Sequence, residues 1–255
     1  MKASERDWVV LFGGADRERS VLVLHERGVR IVAVIAPETR HPRLQMSIDR
    51  LRQHGLPLVT VTRSQLDQAL LEWSGCAMLS VGFPFLIPSS VLMRHDLRLN
   101  VHPTLLPRYR GPTTGAYILM NGDTESGSTV HVLDEEMDKG AIVAQSHVPI
   151  SKFDTVRSLQ RKVYASEPQL VMDALRHLDG GRPQVPQNEA AASTFPAKRT
   201  PADSEIDPTK PLVELFDAIR ACDAGSYPAF FYVDGQKVCV KLWRPDRLGD
   251  ESDTL

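Results

Sequence analysis

The sequence predicts an α/β fold built on a doubly wound, mostly parallel sheet, followed by a small C-terminal appendage of one helix and a β-hairpin. Three observations carry this. Apolar runs of strand length recur along the first hundred residues, the first three each followed by a helical stretch. Glycine closes several of those helices, at Gly55, Gly122 and Gly180. Near the end, Asp234-Gly235 joins two strand-like runs, a strong hairpin signal.

The first run, Trp8-Val9-Val10-Leu11-Phe12, is apolar without alternation, as a strand buried on both faces must be. Gly13-Gly14 ends it, and a helix follows over 17–27 with Val21, Leu22 and Leu24 as its apolar residues. The full GxGxxG of a dinucleotide turn is missing, so the glycines read as a tight strand-to-helix turn; a phosphate contact at the helix N-terminus is the competing reading. The cycle repeats with strand Ile31-Val32-Ala33-Val34-Ile35 and a helix over 46–54. Leu58-Val59-Thr60-Val61 is a third strand, and a helix over 64–73 takes Ser64 as its N-cap. Cys76-Ala77-Met78-Leu79-Ser80-Val81 is the fourth strand.

The fifth strand, Leu99-Asn100-Val101-His102, faces Leu99 and Val101 to one side and Asn100 and His102 to the other. Pro103, Pro107 and Gly111 then force the chain out of the sheet. Two polar side chains are thus delivered together at a strand's carboxyl end, where open α/β sheets bind ligands. Pro112-Thr113-Thr114-Gly115 opens a helix that stops at Asn121-Gly122. Residues 126–133 alternate as a half-buried strand, 134–140 form an acidic loop, and 141–145 resume the sheet. Asp154-Thr155 caps a long helix reaching about residue 178.

From Arg182 the composition changes, with Pro183, Pro186, Pro196 and Pro201 marking a linker that runs over the surface. Beyond it come a helix over 211–224 and the two runs 229–233 and 237–243. The expected organisation is a domain over 1–182, a linker over 183–202 and a small subdomain over 203–255. An isolated hairpin is marginal, so the aromatic ribbon must pack on the main domain or on a second subunit, and a homodimer is the expectation.

Thirty basic against thirty-two acidic residues give a formal charge of -2, which disfavours a nucleic-acid partner. Cys76, Cys222 and Cys239 have neither CxxC spacing nor an even count, so neither a disulfide framework nor a zinc site is expected. No apolar run approaches the ~20 residues of a membrane span, and the start has no signal-peptide core. These readings place the chain in the cytoplasm, away from membranes.

His102 alone reads as a structural histidine, but its company changes that. Asn100 shares its face, Thr104 and Arg108-Tyr109-Arg110 follow, and the acidic loop ends in Asp138-Lys139-Gly140. If Asp138 reaches His102, an amide donor, an imidazole and a carboxylate combine, which suits acyl transfer to an amine: the donors stabilise an oxyanion and the carboxylate orients the ring. The imidazole alternatively takes the amine's proton as a general base. Asp134, Glu135 and Glu136 read as a solvated loop, and no second ligand motif supports a metal. His25, His41, His54, His95, His131, His147 and His177 have no comparable company and read as structural or surface residues.

The stretch Asn100-Val101-His102-Pro103-Thr104-Leu105-Leu106-Pro107-Arg108-Tyr109-Arg110-Gly111 resembles the N-x-H-x-S-L-L-P-x-Y-R-G signature of formyltransferases that use 10-formyltetrahydrofolate. Thr104 replaces the usual serine and keeps its hydroxyl. Asp138 stands where that family has its catalytic aspartate, in a matching D-x-G loop. The resemblance covers most of the chain from Trp8 to about Leu178 and implies a Rossmann-like formyltransferase domain with Asn100, His102 and Asp138 as the catalytic trio. It further implies that 81–88 is the pterin-binding segment, with Phe83, Phe85, Leu86 and Ile87 meeting the folate and Leu133, Asp134 and Met137 closing on it. The loop after the second strand is short, and acidic residues outnumber basic ones after Asp203, unlike methionyl-tRNA formyltransferases. The tail from Lys198 resembles formyltransferases acting on nucleotide-linked amino sugars (dTDP-, UDP- or GDP-linked), used in surface-polysaccharide synthesis. Thr104, Arg108, Tyr109, Arg110 and Gly111 would then position the sugar nucleotide, a surface salt bridge being the other reading of the arginines. Other acceptors (glycinamide ribonucleotide, an amino-acid derivative, methionyl-tRNA), hydrolysis of the folate, and folate or nucleotide binding without catalysis are the alternatives.

Overall fold

The computed structural model describes residues 1–112, 115–195 and 199–245. Seven strands, β1 (Trp8–Phe12), β2 (Ile31–Pro37), β3 (Leu58–Val61), β4 (Ala77–Val81), β5 (Arg98–His102), β6 (Glu125–Val132) and β7 (Ile142–Pro149), form one sheet in the order β3-β2-β1-β4-β5-β6-β7. The first five run parallel, and β6 and β7 are added antiparallel. The helices are α1 (Arg19–Glu26), α2 (Pro42–Gln53), α3 (Leu66–Leu71), α4 (Ser89–Leu92), α5 (Gly115–Met120), α6 (Val156–Asp179) and α7 (Leu212–Arg220). Strands β8 (Ala229–Val233) and β9 (Gln236–Val240) make the separate hairpin, turned by Asp234 and Gly235, both at positive φ. No helix of the described residues is long and apolar enough to cross a membrane.

Strand alternation sorts the core into two layers. Trp8, Val10, Phe12, Leu99 and Val101 pack under α1, α2 and α6, whereas Val9, Leu11 and Met78 pack with Leu66, Leu70, Val91 and Leu92 of α3 and α4. Because Leu99 and Val101 face the first layer, Asn100 and His102 face the second.

Strand order reverses between β1 and β4, the usual crevice for a ligand in such sheets. Here it is closed. The amides of Gly13 and Gly14 both donate to the Val81 carbonyl at 3.1 Å, and a Cβ at Gly13 would lie 2.6 Å from Pro84 Cδ. The glycines are therefore a tight turn, with their donors spent on the neighbouring strand.

Several boundaries move for local reasons. Helix α2 starts at Pro42, because the proline is pre-set for a first turn and the His41 ring accepts from the Leu44 amide at 3.3 Å. Ser64 does not cap α3: its hydroxyl pairs with that of Thr62, and the N-cap position is Gln65. Thr155 caps α6 as its sequence indicates. The second hairpin strand ends at Val240, short of Trp243. Thr113, Thr114, Pro196 and Lys198, part of the helix and linker signals, lie outside the described residues.

Segment 183–195 does run over the surface, but it is pinned to the domain. Val185 exchanges backbone hydrogen bonds with Ile142, both at 2.8 Å, and Thr194 bridges to Arg110. The appendage docks through α7: Arg220 donates to the carbonyls of Ser151 (3.1 Å) and Asp154 (3.0 Å), and Arg157 pairs with Asp223 at 2.8 Å.

A buried ion pair lies behind β5. Arg17 forks onto Glu167 at 2.8 and 2.7 Å and donates to the Val101 carbonyl at 2.8 Å, while Ser20 and Ser128 donate to the same carboxylate. Glu167 is fully buried. Removing one partner strands the other charge, at a typical cost of about 3–5 kcal/mol. Glu167→Ala is therefore expected to lower the urea midpoint by a large fraction of the protein's total stability, read by equilibrium denaturation.

Candidate active site

At the end of β5, the half-buried Asn100 and buried His102 meet Asp138 from the loop after β6. His102 Nδ1 lies 3.4 Å from Asp138 Oδ2, and Asn100 Nδ2 lies 3.5 Å from Oδ1. The other ring nitrogen of His102 is 2.9 Å from the Tyr109 carbonyl, and the Gly111 amide donates to Asp138 Oδ2 at 2.9 Å. Tyr109 and Asp138 both hold φ near +60° (60° and 56°). An aspartate tolerates this conformation, but a tyrosine keeps it only where the surroundings over-determine it, as they do at functional sites.

His131, which the sequence left among structural or surface histidines, belongs to this cluster. It pairs across the antiparallel ladder with Asn100, and its Nε2 lies 3.1 Å from Asn100 Nδ2 and 3.6 Å from Asp138 Oδ1. Its Nδ1 is 2.8 Å from the Val132 carbonyl, which fixes the proton there. In the neutral ring Nε2 then accepts from Asn100, leaving that amide's second N–H loosely engaged at 3.5 Å. The available signal was the alternation of 126–133; what it lacked was the pairing partner.

Burial alone would raise the Asp138 carboxyl, but the contact with His131 and the charges of His131 and His102 once those rings are protonated, with the Gly111 amide, outweigh it and hold the group far below the ordinary carboxylate range. His102 goes the other way. Burial pushes its ring below the ordinary histidine value, despite the opposing pull of Asp138 and the Tyr109 carbonyl.

The residues expected to meet a sugar nucleotide are all engaged by protein. Thr104 is buried, with its hydroxyl donating to the carbonyls of Arg108 (3.1 Å) and Tyr109 (3.3 Å). Arg108 donates from Nη2 to both oxygens of Asp123 at 2.9 and 2.7 Å, and the Tyr109 hydroxyl donates to the same carboxylate at 2.8 Å. Arg110, only 1% exposed, is held by Gln187 and Glu189. Gly111, at φ 103°, packs so closely that a Cβ would lie 2.2 Å from the Phe195 carbonyl. For both arginines the structure gives the ion-pair reading.

On the same face of the sheet, Phe83, Phe85, Ile87 and Leu133 form a half-buried apolar shelf, with Phe83 and Phe85 edge to face at 5.5 Å. Leu86 and Met137 project beyond it, and Asp134 is exposed. The amides of Phe85 and Ile87 have no hydrogen-bond partner among the described residues. A shelf of this kind, with free backbone donors at its edge, suits a flat heteroaromatic ring. A separate cavity of about 270 Å³ lies between α6, α7 and β9, far along the chain from this cluster; Lys241 lines it together with Arg157 and Arg220, which pair with Asp223 and Asp217. No group of three or more His, Cys, Asp or Glu among the described residues is placed to hold a metal.

Residues 28–175 match the formyl transferase family. The chain belongs to that family. A methionyl-tRNA formyltransferase from Streptococcus pyogenes serotype M6 is 30% identical over 192 residues, 74% of this chain and 61% of the relative's length. Among solved structures, an N-formyltransferase from Helicobacter canadensis in complex with folinic acid and dTDP-3-aminofucose superposes with a TM-score of 0.73 at 21% identity, covering 92% of this chain and 86% of that one. Glycinamide ribonucleotide transformylase 1 from Symbiobacterium toebii gives 0.63 at 23% identity, covering 72% of this chain and 95% of that one. These likenesses show that the formyl transferase fold is shared.

Both shifted groups in this formyl transferase site bind fewer protons folded than unfolded, so each makes stability rise with pH. The His102 contribution is full above the unfolded value of about 6.5 and is lost as pH falls through it; that of Asp138 is full above about 3.9 and is lost below. Urea midpoints measured at about pH 7.5 and about pH 5.5 are expected to fall more for the native protein than for His102→Gln, which carries no titrating ring.

Proposed function

We propose that the protein transfers the formyl group of 10-formyltetrahydrofolate to the amine of a nucleotide-linked amino sugar. The observation that carries the reaction class is the meeting of Asn100, His102 and Asp138 beside an apolar shelf edged by unpaired amides. Phe83, Phe85, Leu86 and Ile87 hold the pterin on this reading, with Leu133, Asp134 and Met137 at its open side. The formyl carbon gains a bond to the amine nitrogen and loses its bond to the folate N10, which receives a proton as the amine gives one up.

His102 starts neutral, because burial disfavours its charged form. Its Nε2–H is kept on the Tyr109 carbonyl, so Nδ1 takes the amine's proton. The imidazolium so formed faces an acceptor on each side, Asp138 and the Tyr109 carbonyl, and is stabilised as charge develops. Asn100 turns its loosely held N–H to the oxyanion. No serine or cysteine nucleophile is needed.

The acceptor is argued from the C-terminal third. The N-formyltransferase of Helicobacter canadensis, in complex with dTDP-3-aminofucose, covers 92% of this chain, whereas the glycinamide ribonucleotide transformylase covers 72%. The 30% identity to a methionyl-tRNA formyltransferase favours a second reading, with methionyl-tRNA as acceptor. Against it stand the net charge of -2 and the pairing of Arg108 with Asp123 and of Arg110 with Glu189, which spends both guanidiniums on carboxylates. Activated sugars, reduced folate and three unpaired cysteines fit a cytoplasmic enzyme. Tyr232, Val233 and Trp243 leave the appendage with exposed apolar surface, which a second copy would cover; a concentration-independent monomeric mass in light scattering overturns that dimer.

The deciding assay offers 10-formyltetrahydrofolate with a panel of nucleotide-linked amino sugars, methionyl-tRNA or no amine, and follows product mass, tetrahydrofolate and formate. One formyl group gained by one sugar nucleotide is the expected result; formyl-methionyl-tRNA, or formate without amine, replaces the acceptor reading. Asn100→Ala is expected to lower turnover about 10²–10³-fold, the usual loss for one oxyanion donor, with folate affinity little changed.

A further inference from the structure

Asp138 sits in an exposed acidic loop, in a backbone conformation that favours glycine, yet its carboxylate is aimed at His102 and the Gly111 amide. Something must hold the loop there. The side-chain amide of Gln187 donates to the Asp138 carbonyl and to the Gly140 carbonyl, both at 2.8 Å. Its oxygen accepts from Arg110 Nε at 3.1 Å and Nη2 at 2.7 Å, and Glu189 takes the other edge of that guanidinium at 2.9 and 2.7 Å. One amide group thus links the carboxylate's loop to the loop that follows His102.

The same segment also fixes the far side of that loop. Ser193 accepts from the Tyr109 amide through its hydroxyl at 2.8 Å and from the Arg110 amide through its carbonyl at 2.9 Å, and the Phe195 amide donates to the Arg110 carbonyl at 2.8 Å. These bonds pin Tyr109, whose carbonyl is the second acceptor facing His102. Phe195 stacks between Tyr109 and Tyr117, with centroids at 5.7 and 4.3 Å.

We propose that segment 185–195 is a strap that sets the Asp138 carboxylate against His102, with Gln187 as the positioning residue. The kinetic part of this rests on the role given to Asp138 above; the geometric part does not. A glutamine is required, because only an amide offers two donors to carbonyls and an acceptor to a guanidinium at once. Glutamate would keep the Arg110 contact and set carboxylate oxygens against the two carbonyls.

The test compares Gln187→Ala and Gln187→Glu with the native protein. Exchange of the Gly111 amide, which donates to Asp138, is expected to speed at least tenfold in both variants, with the β5 amides of Leu99 and Val101 unchanged. Unchanged Gly111 exchange overturns the strap, whatever reaction the protein catalyses. Turnover is expected to fall at least tenfold with the KM for folate kept. The limb of the turnover–pH profile governed by His102 is expected to move to lower pH, because a more distant carboxylate supports the imidazolium less. Faster Gly111 exchange with that limb in place would overturn the positioning role and leave Gln187 a structural contact.

Discussion

The half-buried carboxylate of Asp138 is the constraint on which the site depends. A charged group in such a place is costly unless hydrogen-bond donors and opposite charge surround it. Here the partners come from three separate stretches: Asn100 and His102 at the end of β5, the Gly111 amide beyond it, and His131 on β6. The parallel sheet delivers the first pair, the antiparallel addition of β6 delivers the histidine, and the loop must close for the amide to arrive. The fold can be read as the set of pairings that lets one carboxylate stay charged away from bulk water.

Behind this cluster a second buried charge is compensated in a different way. Arg17 and Glu167 satisfy each other, and Arg17 also takes the Val101 carbonyl, midway between Asn100 and His102. The front of β5 is thus polar and tied by hydrogen bonds to β6 and the loops beyond it, while its back is tied to α6 by the Arg17–Glu167 fork. With the β1–β4 crevice closed by Gly13 and Gly14, the open surface shifts one strand along, to the ends of β4 and β5. Strand ends backed by rigid packing help to keep the side chains of the working face in place.

Most of the scaffold was legible in the sequence because strands buried on both faces leave unbroken apolar runs, and because alternation in β5 set Asn100 and His102 apart from Leu99 and Val101. Asp138 was legible through the family resemblance of its loop, and only conditionally from the residues alone. His131 was not, since alternation gives a residue's face but not its cross-strand neighbour, and that depends on a register the sequence does not display. The arginines were open to two readings for a chemical reason: a guanidinium fits carboxylate and phosphate alike, and Asp123 and Glu189 lie too far along the chain to be foreseen as partners. Segment 183–195 was recognised as non-sheet by its prolines and alanines, but composition does not say which backbone groups a surface segment will bond. Gln187, one amide among exposed residues, carried no sequence signal at all.

The place of that segment has a consequence for how the chain is made. Gln187 follows Asp138 by 49 residues, after β7 and the whole of α6. At ordinary rates of translation those residues take about 2–10 s to emerge, and domains begin to fold from the N-terminal side as they do. The sheet and its apolar shelf can therefore assemble on the ribosome while the carboxylate's loop is still untethered. On the role proposed for the strap, a nascent chain completes its sheet before the Asp138 carboxylate is set against His102.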